Sequence, residues 1–115
     1  MGLPLLDDSI YDTDLARMMI SARRATEFLK ALGHEGRLMI LCHLAAKECS
    51  VTELEQLLGQ RQAAVSQQLA RLRLERLVVC RRDGKTIYYS LADDRTRQMI
   101  EIIYDMFCIE EDRRN

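Results

Sequence analysis

Four cysteines, Cys42, Cys49, Cys80 and Cys108, carry the most reactive side chains in this sequence. A thiolate attacks an oxidant or a sulfane sulfur, and a second thiol can resolve the product into a cross-link. None of the four forms a CxxC or CxC pair, so the local motif of a dithiol oxidoreductase is missing. The sequence opens Met1-Gly2-Leu3-Pro4-Leu5-Leu6-Asp7-Asp8, which is acidic and has no basic n-region. It does not read as a secretory signal, and the expected setting is a reducing cytoplasm with resting thiols. No stretch approaches the roughly 20 apolar residues of a membrane span, so no membrane partner is expected.

The second chemical feature is a basic run. The 115 residues carry a net charge of −1, which alone argues against a polyanionic partner. The distribution argues the other way. Seven basic residues (Arg61, Arg71, Arg73, Arg76, Arg81, Arg82 and Lys85) face only Glu75 and Asp83 between Arg61 and Thr86. Asp7, Asp8 and Asp12 at one end, and Glu101, Asp105, Glu110, Glu111 and Asp112 at the other, restore the balance. A basic segment inside an acidic chain is the footprint of phosphate binding; the plainer reading is an ion-paired, solvated surface.

The elements that must position these groups can be read from periodicity. Residues 1–12 hold the only proline and are expected to form a mobile arm, with 113–115 as a tail and 13–112 as one domain. Leu15, Met18, Ala22, Ala25, Leu29 and Leu32 are spaced 3-4-3-4-3, a seam along one long helix that Gly33 ends. A second helix, Glu35 to Ala46, is apolar around most of its circumference and is expected to be central; it carries Cys42. Ser50 and Glu53 fit a capping box opening a short helix with Leu54, Leu57 and Leu58, closed by Gly59. Another helix begins near Gln62 and keeps Val65, Leu69 and Leu72 on one face. Two short helices joined by a tight turn make a helix-turn-helix. Leu77 to Arg82 and Thr86 to Leu91 then read as strands, with Asp83-Gly84 as a type I′ hairpin signal. A last helix is capped by Asp93 or Asp94 and runs to about Glu111, with Met99, Ile102, Ile103, Met106 and Ile109 or Glu110 as its stripe. Cys49 is expected in a loop and Cys80 in a strand.

The predicted fold is mainly α with a β-hairpin wing, a winged helix-turn-helix of order ααααββα. Its second short helix is the expected major-groove reader. Opposite the core face it shows Gln62, Ala63, Ser66, Gln67 and Ala70. Gln67 can pair with adenine, Ser66 with a base edge or a phosphate, and the alanines allow close approach. Arg71 and Arg73 are expected to meet phosphate. Arg81, Arg82 and Lys85 at the hairpin tip are expected to touch the backbone or the minor groove.

Three stretches, Ala31 to Leu41, Ala63 to Leu69 and Gly84 to Leu91, resemble the ArsR/SmtB family of bacterial winged-helix repressors. The resemblance covers about residues 15–110. It implies a homodimer built on the first and last helices, and repression of double-stranded operator DNA until an inducer acts.

Many members of that family sense metals. Here the cysteine pair of arsenic- and cadmium-type sensors is missing from Val51–Leu58, as is the aspartate/histidine set of zinc-type members from the last helix. Only His34 and His43 occur, and a transition-metal site usually takes three or four converging donors, so no metal or other cofactor is expected. The surroundings Leu41-Cys42-His43-Leu44 and Tyr104-Asp105-Met106-Phe107-Cys108 resemble the sulfide- and persulfide-responsive SqrR/BigR-like branch. That likeness implies a redox switch in which reactive sulfur species link Cys42 to Cys108 through a disulfide or a short polysulfide. The alternatives are the same fold answering general oxidants or a metal, an architectural DNA binder with inert cysteines, and a sulfur-transfer enzyme. The last is disfavoured by the absence of a CxxC, a phosphate-binding glycine loop or a nucleophile–histidine motif.

Overall fold

Several helix boundaries have a local cause. In the computed structural model, which describes residues 12–109 and the side chains of 13–107, the first helix, α1, runs Asp12–Leu32. The N–H of Gly33 bonds the Leu29 carbonyl at 2.8 Å and ends the helix there. His34 caps α2 (Glu35–Ala46), its Nδ1 accepting from the Arg37 N–H at 3.4 Å. The capping box forms as read: the Glu53 N–H donates to Ser50 Oγ at 3.1 Å and the Ser50 N–H to Glu53 Oε1 at 3.0 Å, opening α3 (Val51–Leu58). Gly59 closes α3 at φ +65°, in the left-handed region that glycine enters without a Cβ clash. The helix expected to read DNA, α4, spans Gln62–Leu74.

The sheet has one strand more than expected. Cys49–Ser50 is not loop but β1, paired antiparallel with β3 (Thr86–Leu91), which pairs in turn with β2 (Val78–Asp83). Two residues are too few to show alternation, and their partners, Tyr89 and Tyr88, lie 40 and 38 positions downstream, so no local pattern marks them. The hairpin turn also shifts by one residue. Asp83 pairs with Thr86, leaving Gly84-Lys85 as the central pair. Only Gly84 has positive φ, +66°, which matches a II′ turn with glycine first rather than the expected I′ turn.

The last helix, α5, is Asp94–Tyr104, capped by Asp93, and it passes into a π-helical turn, Asp105–Ile109. Asp12, expected in the arm at 1–12, instead opens α1; the rest of that arm, the expected continuation to Glu111 and the tail at 113–115 lie outside the described residues. No described helix is long and apolar enough to cross a membrane.

The core is built on α2. Ile40, Leu41 and Leu44 are fully buried against Leu54, Val65, Leu69, Leu72, Val78 and Ile100. Burial contributes roughly 1.5–3 kcal/mol for each such side chain. The fold is a winged helix-turn-helix: α3 and α4 form the helix pair, and β2–β3 the wing.

The α1 seam behaves differently from the core. Of its residues Leu32 is buried and Met18 half-buried, but Leu15, Ala22, Ala25 and Leu29 stay exposed; beside the seam Ala31 is buried and Phe28 half-buried, while Met19 and Ile20 are exposed. On α5 the core-facing residues are Thr96, Ile100 and, in part, Met99 and Ile103. Ile102 and Met106, expected in the same stripe, point away from the core and are more than half exposed.

Candidate nucleic-acid interface and thiol pocket

Most of the expected reading face is open. Gln62, Ala63, Ser66, Gln67 and Ala70 of α4 are all exposed, as are Arg82 and Lys85 on the wing. Val65, Leu69 and Leu72 hold the opposite face in the core, so the reading face is fixed in direction by packing.

Two of the expected contacts are engaged within the chain. Arg71 is half-buried, and its Nε lies 3.2 Å from Glu75 Oε1, in ion-pair range but outside hydrogen-bond geometry. Arg81 donates from Nε and Nη2 to both oxygens of Glu48, at 2.8 and 2.6 Å, and its guanidinium sits 4.7 Å from the ring centre of Tyr88. Arg73, by contrast, is exposed and makes no ion pair among the described residues. It lines a cleft of about 330 Å³ together with Ser66, Ala70, Leu74 and Tyr89.

Tyr89 was not among the residues singled out from sequence. Its placement comes from the register: Cys80 on one side and Cys49 on the other are both its Cα partners. Directly opposed residues share a face of the sheet, so the three side chains form a row. The two outer Cα atoms are then about 10 Å apart, beyond the roughly 7 Å limit for a disulfide. Cys49 is fully buried, and its thiol donates to the Lys47 carbonyl at 3.4 Å. Burial pushes that thiol up from its ordinary pKa, and the Glu53 carboxylate adds to the shift. It is poorly suited to be a nucleophile.

Cys42 is half-buried on α2 and lines a second cavity, of about 360 Å³, between α2 and α5. Ala45 and Ala46 complete the α2 wall; Ile100, Glu101, Tyr104 and Asp105 form the other. The two helices are tied at this level by Arg97, which donates to the Ala45 carbonyl. Asp105 opens the π-helical turn that contains Cys108. The Cys108 side chain lies outside the described residues; of the two expected switch thiols Cys42 lines the cavity, and Cys108 follows three positions after its lining residue Asp105. Such turns are rare and are frequently found at functional sites. Among the described residues, no group of three or more His, Cys, Asp or Glu side chains converges in a way that suits a metal ion.

The geometry agrees with what the chain is similar to. The description "bacterial regulatory protein, arsR family" matches residues 34–79, from the cap of α2 into β2. The biofilm growth-associated repressor of Agrobacterium fabrum is 47% identical over 93 residues, covering 78% of this chain and 80% of the relative. The transcriptional activator HlyU of Vibrio cholerae is 39% identical, covering 83% of this chain and 88% of the relative. Among solved structures, reduced HlyU from Vibrio cholerae superposes with a TM-score of 0.76 at 39% identity, over 80% of this chain and 97% of that one. The transcriptional repressor BigR from Xylella fastidiosa does so with a TM-score of 0.74 at 40% identity, over 81% and 95%.

Proposed function

The chain belongs to the arsR family of bacterial regulatory proteins, and we propose that it is a cytoplasmic, homodimeric repressor that leaves its operator when reactive sulfur links Cys42 to Cys108. It is a DNA-binding transcriptional regulator by family. Repression, dimerisation and the identity of the inducer are the proposal.

The observation that carries the switch is the cavity between α2 and α5. Cys42 lies in its wall, and the helix forming the opposite wall runs on into the turn that holds Cys108. A persulfide donor RSSH passes its outer sulfur to the Cys42 thiol, giving Cys42–SSH and RSH. The Cys108 thiol then attacks the Cys42 sulfur, forming the disulfide and releasing H₂S. If both thiols are persulfidated first, condensation of the two with loss of one H₂S gives a trisulfide. A direct disulfide requires Cα atoms about 4.4–6.8 Å apart, and added sulfur reaches further. Bridge length is therefore a means of selecting the inducer.

Either bridge ties α5 to the central helix. The dimer is read onto α1 and onto α5 with the π-helical turn that follows it, whose apolar residues Leu15, Met19, Ile20, Ile102 and Met106 are exposed in the single chain. Moving α5 against α2 changes the separation of two α4 helices, which must match successive major grooves about 34 Å apart. A coupling of roughly 1–3 kcal/mol shifts operator affinity by about 5- to 150-fold. At the operator, Gln62 and Gln67 are assigned to base edges, Ser66 to a base edge or a phosphate, Ala63 to the close approach of the helix, and Arg82 and Lys85 to the backbone.

The test is to treat the reduced protein separately with a polysulfide, peroxide and Zn²⁺, recording intact mass and operator binding each time. Polysulfide is expected to give a Cys42–Cys108 cross-link and to release DNA. A full response from Cys42→Ser or Cys108→Ser sinks the two-thiol switch.

A further inference from the structure

The geometry points to the cleft between α4 and β3 as a seat for one phosphodiester of the DNA backbone, held by Arg73 with the Ser66 and Tyr89 hydroxyls. The inference rests on the DNA-binding reading and assigns the phosphate contact to Arg73, with Arg71 excluded from it.

Four observations converge. Ser66, Ala70 and Arg73 are four and three positions apart, so they lie on one face of α4. Ala70 contributes only a methyl group, which leaves the space between the hydroxyl and the guanidinium open. Tyr89 supplies the facing wall from the wing, and no acidic side chain lines the cleft among the described residues. The ligand is thus offered one full positive charge and two neutral hydroxyls, a set that suits a singly charged phosphodiester.

The last turn of a helix normally repels anions through its unpaired carbonyls. Here two of those carbonyls are taken up by the closing turn. The Leu77 N–H bonds the Leu72 carbonyl at 2.9 Å, and the Arg76 N–H bonds that of Arg73 at 3.0 Å. This closing motif leaves the Arg73 side chain as the dominant charge at the cleft. Arg71 sits two positions earlier, on a different face, and its charge is already partnered by Glu75. Leu74 is 77% exposed at the lip of the cleft. An exposed leucine beside an anion seat is poorly placed for free phosphate but offers a wall to the deoxyribose that accompanies a backbone phosphate.

Phosphate contacts weaken binding alike on every sequence when lost, so a duplex of arbitrary sequence serves as the probe. Its affinity is measured across a chloride series for the full chain and three variants. For Arg73→Ala, the slope of log K against log salt is expected to flatten by about 1 per protomer, with affinity falling about tenfold. Tyr89→Phe keeps the ring and its packing, and is expected to weaken binding roughly threefold to tenfold with the slope unchanged. Arg71→Ala is expected to keep the wild-type slope. Inorganic phosphate at matched ionic strength is expected to compete no better than chloride. Equal slopes for Arg71→Ala and Arg73→Ala, wild-type binding by Tyr89→Phe, or Arg73-dependent displacement by inorganic phosphate each overturn the assignment. Absence of any salt-dependent duplex binding by the wild-type chain would instead remove the DNA reading on which it rests.

Discussion

Arg81 of the wing and Glu48, just beyond the last turn of α2, are joined by two hydrogen bonds of 2.8 and 2.6 Å. The fork fastens the hairpin to the segment that leaves the thiol-bearing helix. Tyr88, the cross-strand partner of Arg81, stacks under the same guanidinium. An arginine assigned to DNA from sequence is therefore also a structural tie between α2 and the wing.

That tie has a defined pH dependence. The hydrogen bond from Arg81, then its charge, holds the Glu48 carboxyl below the ordinary glutamate range. A carboxylate depressed in the folded state contributes stability above its unfolded pKa of about 4.3, and the contribution is lost as pH falls through the lower folded value. Glu48→Gln is expected to melt below wild type at pH 7. The gap should close as the solution is acidified past that window, and it should shrink in high salt. A gap that persists unchanged in acid, measured by thermal denaturation with circular dichroism, contradicts the tie.

Arg76 is the one non-glycine residue with positive φ among the described residues, +60°, at the position just past the α4 cap. A side chain there costs about 1–2 kcal/mol relative to a right-handed conformation, and glycine avoids most of it. Arg76→Gly is expected to raise stability by about 1 kcal/mol in urea titration, with the denaturant slope unchanged. A destabilised Arg76→Gly would mean that the arginine side chain supports the turn.

The thiols should separate by alkylation rate. Cys49 is inaccessible and its thiol is held up by burial, whereas Cys42 lines an open cavity. Under limiting iodoacetamide, peptide mapping is expected to find Cys49 modified last, and urea is expected to abolish the difference. Early modification of Cys49 in the native protein would contradict its place in the sheet.

The uncovered apolar face predicts association. Ile20, Met19, Ile102 and Met106 are each more than half exposed, which is unusual for so many large side chains on two helices of a small domain. Sedimentation is expected to give a dimer, and Ile102→Glu to shift it toward monomer with a loss of operator affinity. Ile102 makes no core contact, so the monomer should keep its helical circular dichroism. A monomeric wild-type protein would remove the dimer proposal.

The parts of this fold written in neighbouring residues were legible in the sequence. Ser50 and Glu53 satisfy each other's backbone across a single turn, so their spacing alone announces α3. Gly59 and Gly84 sit where the chain requires positive φ, and the β-branched and aromatic residues of Thr86–Leu91 mark β3 without reference to any partner. The order of those pieces announced the winged helix-turn-helix, and the family followed from the likeness of the stretches Ala31 to Leu41, Ala63 to Leu69 and Gly84 to Leu91. What tertiary structure decided was everything set by pairing over distance. Strand β1 exists only because β3 offers it an edge. The hairpin register, which no local signal specifies to one residue, moved the turn to Gly84-Lys85 and turned Tyr89 toward α4. Packing then distinguished Arg71, drawn back to Glu75, from Arg73, left at the open cleft. In the thiol chemistry, the sequence supplied the four candidates. Pairing of β1 with β3 buried Cys49 in the sheet, and the folding of α5 against α2 set Cys42 in a cavity, because accessibility and pKa are properties of surroundings that no single stretch of chain contains.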